Sequence, residues 1–130
     1  MRYFNVSRET LDLFCEYEAL LSKWNKKINL VSKNSLFDIW ERHFLDSGQI
    51  INHVEAAGKR WVDLGSGAGF PGLVVALLLR DRKIDCDLIL VEKNPKKGFF
   101  LKERTNKEAV SDNQANARQT PTPLKRLLKE

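Results

Sequence analysis

Apolar residues recur at spacings of three and four near the start of the chain. Leu11, Phe14, Tyr17, Leu21, Trp24 and Ile28 mark one face of a helix predicted from Glu9 to Ile28. Ser7 stands where an N-cap belongs. This face forms core by default. Basic residues flank an aromatic ring in Lys23-Trp24-Asn25-Lys26-Lys27. That interleaving can meet RNA, but a solvated helix end with a buried ring is the commoner meaning. A second helix is predicted from Ser35 to about Val54, opened by the capping box Ser35-Leu36-Phe37-Asp38. Phe37, Trp40, Phe44, Ile51 and Val54 fall on one side of it, and Gly58 stops it. On it, Arg42 can pair with Asp46, and His43 with Asp46 or Ser47. Spacing alone favours a polar helix face with one ion pair. The sharper alternative turns Arg42 and His43 towards a ligand.

The pattern then changes. Arg60 to Leu64 reads as a short strand carrying Asp63 near its end. Beyond a glycine-rich turn, Leu73 to Leu79 is apolar all round and needs cover on several sides. The polar cluster Arg80-Asp81-Arg82-Lys83 ends that helix, and Cys86 to Val91 reads as a second strand leading to Glu92. Asn94 caps a helix from Pro95 that contains Phe99, Phe100 and Leu101. Lys93, Lys96, Lys97 and Lys102 give it a basic face, able to bind phosphates or simply to be solvated. The fold class expected is α/β. An N-terminal helical segment (residues 1–58) precedes a partial Rossmann-like parallel sheet (residues 59–103). Residues 104–130, rich in Asn, Gln, Thr, Ala and Lys, read as a disordered tail with a short helix at Leu124–Lys129.

The chemistry lies between the strand and the apolar helix, in Asp63-Leu64-Gly65-Ser66-Gly67-Ala68-Gly69-Phe70-Pro71-Gly72. Glycines turn the backbone tightly and admit a ligand closely, because no Cβ intervenes. Pro71 opens the helix without losing a needed hydrogen bond, and the helix N-terminus offers partial positive charge. Strand, turn and helix make a nucleotide-type pocket. Gly67-x-Gly69-x-x-Gly72 fits the dinucleotide fingerprint. The earlier register, Asp63-x-Gly65-x-Gly67-x-Gly69, is typical of methyltransferases that use S-adenosylmethionine. That cofactor has an ammonium, a sulfonium and no pyrophosphate, so an acid beside the loop attracts it and would repel a dinucleotide. Glu92, closing the second strand, is placed to accept both ribose hydroxyls, since a carboxylate only accepts.

Composition adds bounds. One hundred and thirty residues make one domain at most, with an apolar fraction of 42%. Cys15 and Cys86 lie far apart, without metal-ligand spacing, so neither a disulfide framework nor a metal site is expected. No apolar leader and no run long enough to span a bilayer is evident, and a cytoplasmic protein is expected. The net charge is +5, but residues 104–130 hold six basic and three acidic side chains. Most of the excess thus sits outside the expected fold and argues weakly for a nucleic-acid surface.

Four motifs together are more specific than the glycine loop. They are Lys23-Trp24-Asn25-Lys26-x-x-Asn29-Leu30-x-Ser32, Arg42-His43-x-x-Asp46-Ser47, Asp63 to Gly72, and Glu92-x-x-x-Lys96-Lys97-x-x-Phe100-Leu101. In order and spacing the chain strongly resembles the bacterial ribosomal RNA small-subunit methyltransferase G family over residues 10–103. The resemblance implies methyl transfer from S-adenosylmethionine to N7 of a guanine in 16S rRNA. By position it implies cofactor contacts at Gly65 and Phe70, with Asp63 and Gly67 in the same loop, and Glu92 as the ribose acid. It also places Arg42 and His43 at the family's RH motif, lining the site on the substrate side. No obligatory catalytic residue follows, because N7 carries a free lone pair and needs no general base; alignment does the work. A groove-hidden N7 must be accessible or unstacked.

The likeness ends near Glu103, where the family continues with further strands. A truncated member is therefore expected, with the Leu73–Leu79 helix incompletely covered and the sheet left open. Two functional alternatives stand beside the methyltransferase. One is a nicotinamide-dependent oxidoreductase fragment using Gly67, Gly69 and Gly72. The other is a non-catalytic RNA- or partner-binding chain docking through its lysines.

Overall fold

The computed structural model describes residues 5–53, 55 and 57–104. The expected tail, apart from Arg104, lies outside them. Helix α1 (Arg8–Asn25) is followed by a short α2 (Lys33–Phe37), a π-helical stretch Trp40–Leu45, the single turn α3 (Asp46–Gly48) and a 3-10 helix Gln49–Asn52. Strand β1 (Arg60–Leu64), helix α4 (Gly72–Asp81) and strand β2 (Asp87–Val91) then form one βαβ unit. Residues 95–104 are helical and are called α5.

The first helix forms as its pattern predicts. The Ser7 side chain accepts from the Thr10 amide at 3.2 Å, and Phe14, Tyr17, Leu20 and Leu21 are buried. At the far end Asn25 Oδ1 accepts from the amides of Leu30 and Val31. Trp24 is half-buried. Its indole N–H donates to Glu103 at 2.7 Å and its ring meets Phe100 edge-on.

The second helix departs from expectation. Ser32, not Ser35, is the N-cap, accepting from the Ser35 amide at 3.1 Å. The helix breaks at Asp38 (φ −121°, ψ 43°) and restarts as a π-helical turn. The break rotates Phe37 out of the apolar face, leaving it 96% exposed. Ile39 is buried instead, beside Phe44, which is buried as expected.

The two strands run parallel, with Arg60 opposite Asp87 and Leu64 opposite Val91. Parallel neighbours need a crossover, and α4 supplies it. Leu73 to Leu79 are all buried. Incomplete cover for this helix was the expectation, and it does not hold. Helices α1 and α3 and the 3-10 helix join β2 around α4, so the N-terminal helices act as the second layer. Each fully buried Leu or Val contributes roughly 1.5–3 kcal/mol, which makes α4 the centre of the core.

The sheet itself stays one-sided. Leu88 and Leu90 are buried, whereas Val62 is 52% and Leu64 76% exposed. Among the described residues β2 is the only strand paired with β1. Arg104, assigned by composition to the tail, ends α5 inside the core. It is buried, donates to the Leu13 carbonyl at 2.6 Å and lies over the Tyr17 ring.

Candidate functional site

The loop from Asp63 to Gly72 is held by a closed set of backbone bonds. The amides of Gly65 and Ser66 both donate to the Val91 carbonyl, at 2.8 and 3.0 Å, tying the turn to the end of β2. Ser66 Oγ donates to the Asp63 carbonyl and the Gly69 amide to the Ser66 carbonyl. Gly65, Gly67 and Gly69 take φ values of 72°, 56° and 95°, a region that disfavours any Cβ. Their surroundings differ. A Cβ at Gly65 would meet nothing within 4 Å, whereas one at Gly69 would strike Leu73 and the Tyr17 hydroxyl. Gly65 therefore faces open space and Gly69 is packing.

Two carboxylates flank the turn. Asp63 Oδ2 accepts from the Gly72 amide at 3.0 Å, on the first residue of α4. Glu92 Oε2 accepts from the Gly67 amide at 2.7 Å, and its Oε1 from Asn94 at 2.9 Å. Burial pushes the Asp63 carboxyl above the ordinary range; the Gly72 bond works against that shift and the Glu92 charge adds to it. Asp63 thus sits on the positive end of α4 that an anion would otherwise use. The amides of Gly67, Gly69 and Gly72 are all satisfied within the protein. A pyrophosphate would need those donors and would face two carboxylates. A nucleoside carrying positive charge meets complementary ones, and each carboxylate keeps lone pairs for further donors.

Helices from the N-terminal segment clamp the far side of the loop. The Tyr17 hydroxyl donates to the Ala68 carbonyl. Phe70 sits among three rings, with centroids 4.5 Å from His43, 5.7 Å from Tyr17 and 5.9 Å from Phe44. His43 lies almost parallel to Phe70, and burial lowers its pKa. Arg42 is exposed and lies 3.8 Å from Asp38, so the expected pairing with Asp46 is replaced by one a turn earlier. The structure therefore gathers Asp63, Gly65, Gly67, Phe70, Glu92 and His43, and leaves Arg42 on the outside of its helix. Tyr17 was read only as core. Its hydroxyl was the missed signal, because a buried tyrosine oxygen needs a partner. Among the described residues no cluster of His, Cys, Asp and Glu could hold a metal ion.

A parallel βαβ unit with acidic residues on both sides of its glycine turn is consistent with a partial Rossmann-like fold of the methyltransferase type. The sequence comparison narrows this: the family model for rRNA small subunit methyltransferase G matches residues 10–118, and the chain belongs to that family. The match reaches past Glu103, where the motifs end. Among curated relatives, the ribosomal RNA small subunit methyltransferase G of Parvibaculum lavamentivorans is 56% identical over 76% of this chain and 43% of its own length. That of Rhodospirillum centenum is 51% identical over 77% and 44%. That of Sinorhizobium fredii is 42% identical over 96% and 54%. The chain thus spans about half the length of the relatives it matches.

Proposed function

We propose that the chain carries the cofactor half of an enzyme that methylates N7 of a guanine in 16S rRNA, in the cytoplasm, with S-adenosylmethionine as donor. The observation carrying this reading is the pair Asp63 and Glu92, which take up the loop amides and set negative charge beside the open face of Gly65. In this reading Gly65 and Gly67 let the nucleoside approach, Glu92 accepts from the ribose, Asp63 faces the cationic end and Phe70 borders the pocket. The cofactor supplies an already activated methyl group. The protein's part is to orient, to exclude water and to leave N7 unprotonated, which requires no base because N7 is an acceptor. Arg42, exposed beside His43, is available to an RNA phosphate at about 1.5–3 kcal/mol for a charge-assisted bond.

The same observation weighs against a dinucleotide, since the fingerprint glycines Gly69 and Gly72 are packing positions with satisfied amides. The test is incubation of the chain with unmethylated small ribosomal subunits and labelled S-adenosylmethionine, followed by nucleoside analysis of 16S rRNA. Labelled N7-methylguanosine supports the reading. Cofactor binding restricted to NAD overturns it.

A further inference from the structure

We propose that His43 is a positioning residue for the cofactor loop: its imidazole, stacked on Phe70, fixes that ring and with it the shape of the glycine turn. The proposal rests on the cofactor role given to the loop above. Glycine loses more conformational freedom on ordering than any other residue, and this turn has glycines at 65, 67 and 69. Its shape before ligand arrives depends on what holds it. From the N-terminal segment the Tyr17 bond to Ala68 and the rings of His43, Tyr17 and Phe44 around Phe70 do so. The stack is the flattest of the Phe70 contacts, with 16° between planes at 4.5 Å. Tyr17 and Phe44 meet the same ring at 30° and 48°.

The helix carrying His43 is built for this contact. Residues Trp40–Leu45 form a π-helical turn, a wider turn than the α-helix and one often found at functional sites. Consecutive side chains, His43 and Phe44, both reach Phe70 from it. His43 Nε2 is buried and, among the described residues, has no hydrogen-bond partner. Phenylalanine would give the same stack without an orphaned nitrogen, so histidine adds titration. The charged groups acting on the imidazole are Asp46 and Arg42, both on its own helical segment. From the loop it meets the uncharged Phe70 ring. Burial favours the neutral form, and protonation places a positive charge against the ring that the loop depends on. Acidification therefore changes the electrostatic environment of the Phe70 ring.

The test uses the full chain with ring-labelled phenylalanine, the Phe70 signal being assigned from Phe70→Leu. Ring resonances of Phe70 are followed against pH without ligand, and S-adenosylmethionine affinity is measured by calorimetry at pH 7.5 and 5.5. The wild-type Phe70 signals shift with the His43 titration, below about pH 6.5. In His43→Phe they stay constant, and affinity remains within about twofold of wild type at pH 7.5, whereas His43→Ala loses about tenfold. Two results overturn the proposal: Phe70 signals indifferent to His43 titration, or His43→Phe losing as much affinity as His43→Ala, which would mean that the imidazole itself touches ligand. If the wild type binds no S-adenosylmethionine, the proposed function fails, while the Phe70 signals still decide the positioning role.

Discussion

The Tyr17 hydroxyl donates to the carbonyl of Ala68, fifty-one positions further along the chain. One bond thus joins the first helix to the middle of the glycine turn. Tyr17→Phe keeps the ring and removes the donor, leaving a buried carbonyl unsatisfied at a cost of about 1–3 kcal/mol. Chemical denaturation should show that loss, and calorimetry should show weaker cofactor binding at the same time, because the loop it anchors is the one proposed above to hold the cofactor.

Asp63 predicts an opposition between stability and function. Burial raises its carboxyl pKa in the fold, so folding favours the protonated form. The stabilising contribution is complete below the unfolded value of about 3.9 and is lost as pH rises through the higher folded value. At neutral pH the ionised group is a burden. Asp63→Asn keeps an acceptor for the Gly72 amide and removes that burden. Its melting temperature at pH 7 should equal or exceed wild type by a few degrees, of the order that about 1 kcal/mol produces in a domain this size. The advantage should vanish below pH 4, while S-adenosylmethionine affinity falls about tenfold or more.

Two glycines separate backbone strain from packing. A Cβ at Gly65 meets open space at φ 72°, whereas one at Gly72 collides with Leu90 and comes 2.6 Å from Asp63 Oδ2. Gly65→Ala should cost about 1–2 kcal/mol from its left-handed conformation alone. Gly72→Ala should cost about 1–3 kcal/mol from overpacking and should also dislodge Asp63. Urea melts of the two variants, with Asp63→Asn/Gly72→Ala as the double mutant, check this. Non-additivity is expected for Gly72 with Asp63 and not for Gly65.

The uncovered sheet face predicts self-association. Among the described residues Val62 and Leu64 present apolar side chains on β1, whose second edge has no paired strand, and such edges template pairing. Leu64→Lys should lower the oligomer fraction in analytical ultracentrifugation without lowering the melting temperature, since the side chain it replaces is already 76% exposed.

These outcomes bear on what the residues could disclose by themselves. Strand β1 was legible residue for residue, because an alternating ribbon ending in an acid and glycines has few other conformations. The Asp63–Gly72 stretch was legible as a glycine turn between strand and helix for the same reason. The break at Asp38 was not, since the π-helical turn is imposed by packing of Phe44 and His43 on Phe70, which lies twenty-six residues away from Phe44. Cover for α4 was underestimated because it comes from helices earlier in the chain, and periodicity does not say which faces meet. His43 was suspected from its family motif, but its actual partner, an aromatic ring of the loop, carries no signal in local spacing. Arg104 looked like tail composition, although a guanidinium with a long apolar stem can enter a core when carbonyls and rings receive it.

The most direct test of the central claim is amide chemical-shift mapping of the labelled chain with S-adenosylmethionine and, separately, with NAD. The account predicts that the first shifts Gly65, Gly67 and Asn94, the amides around the two carboxylates, and that the second leaves them unmoved. Shifts with NAD at Gly67 and Gly72, or S-adenosylmethionine perturbing residues away from this turn, would contradict it.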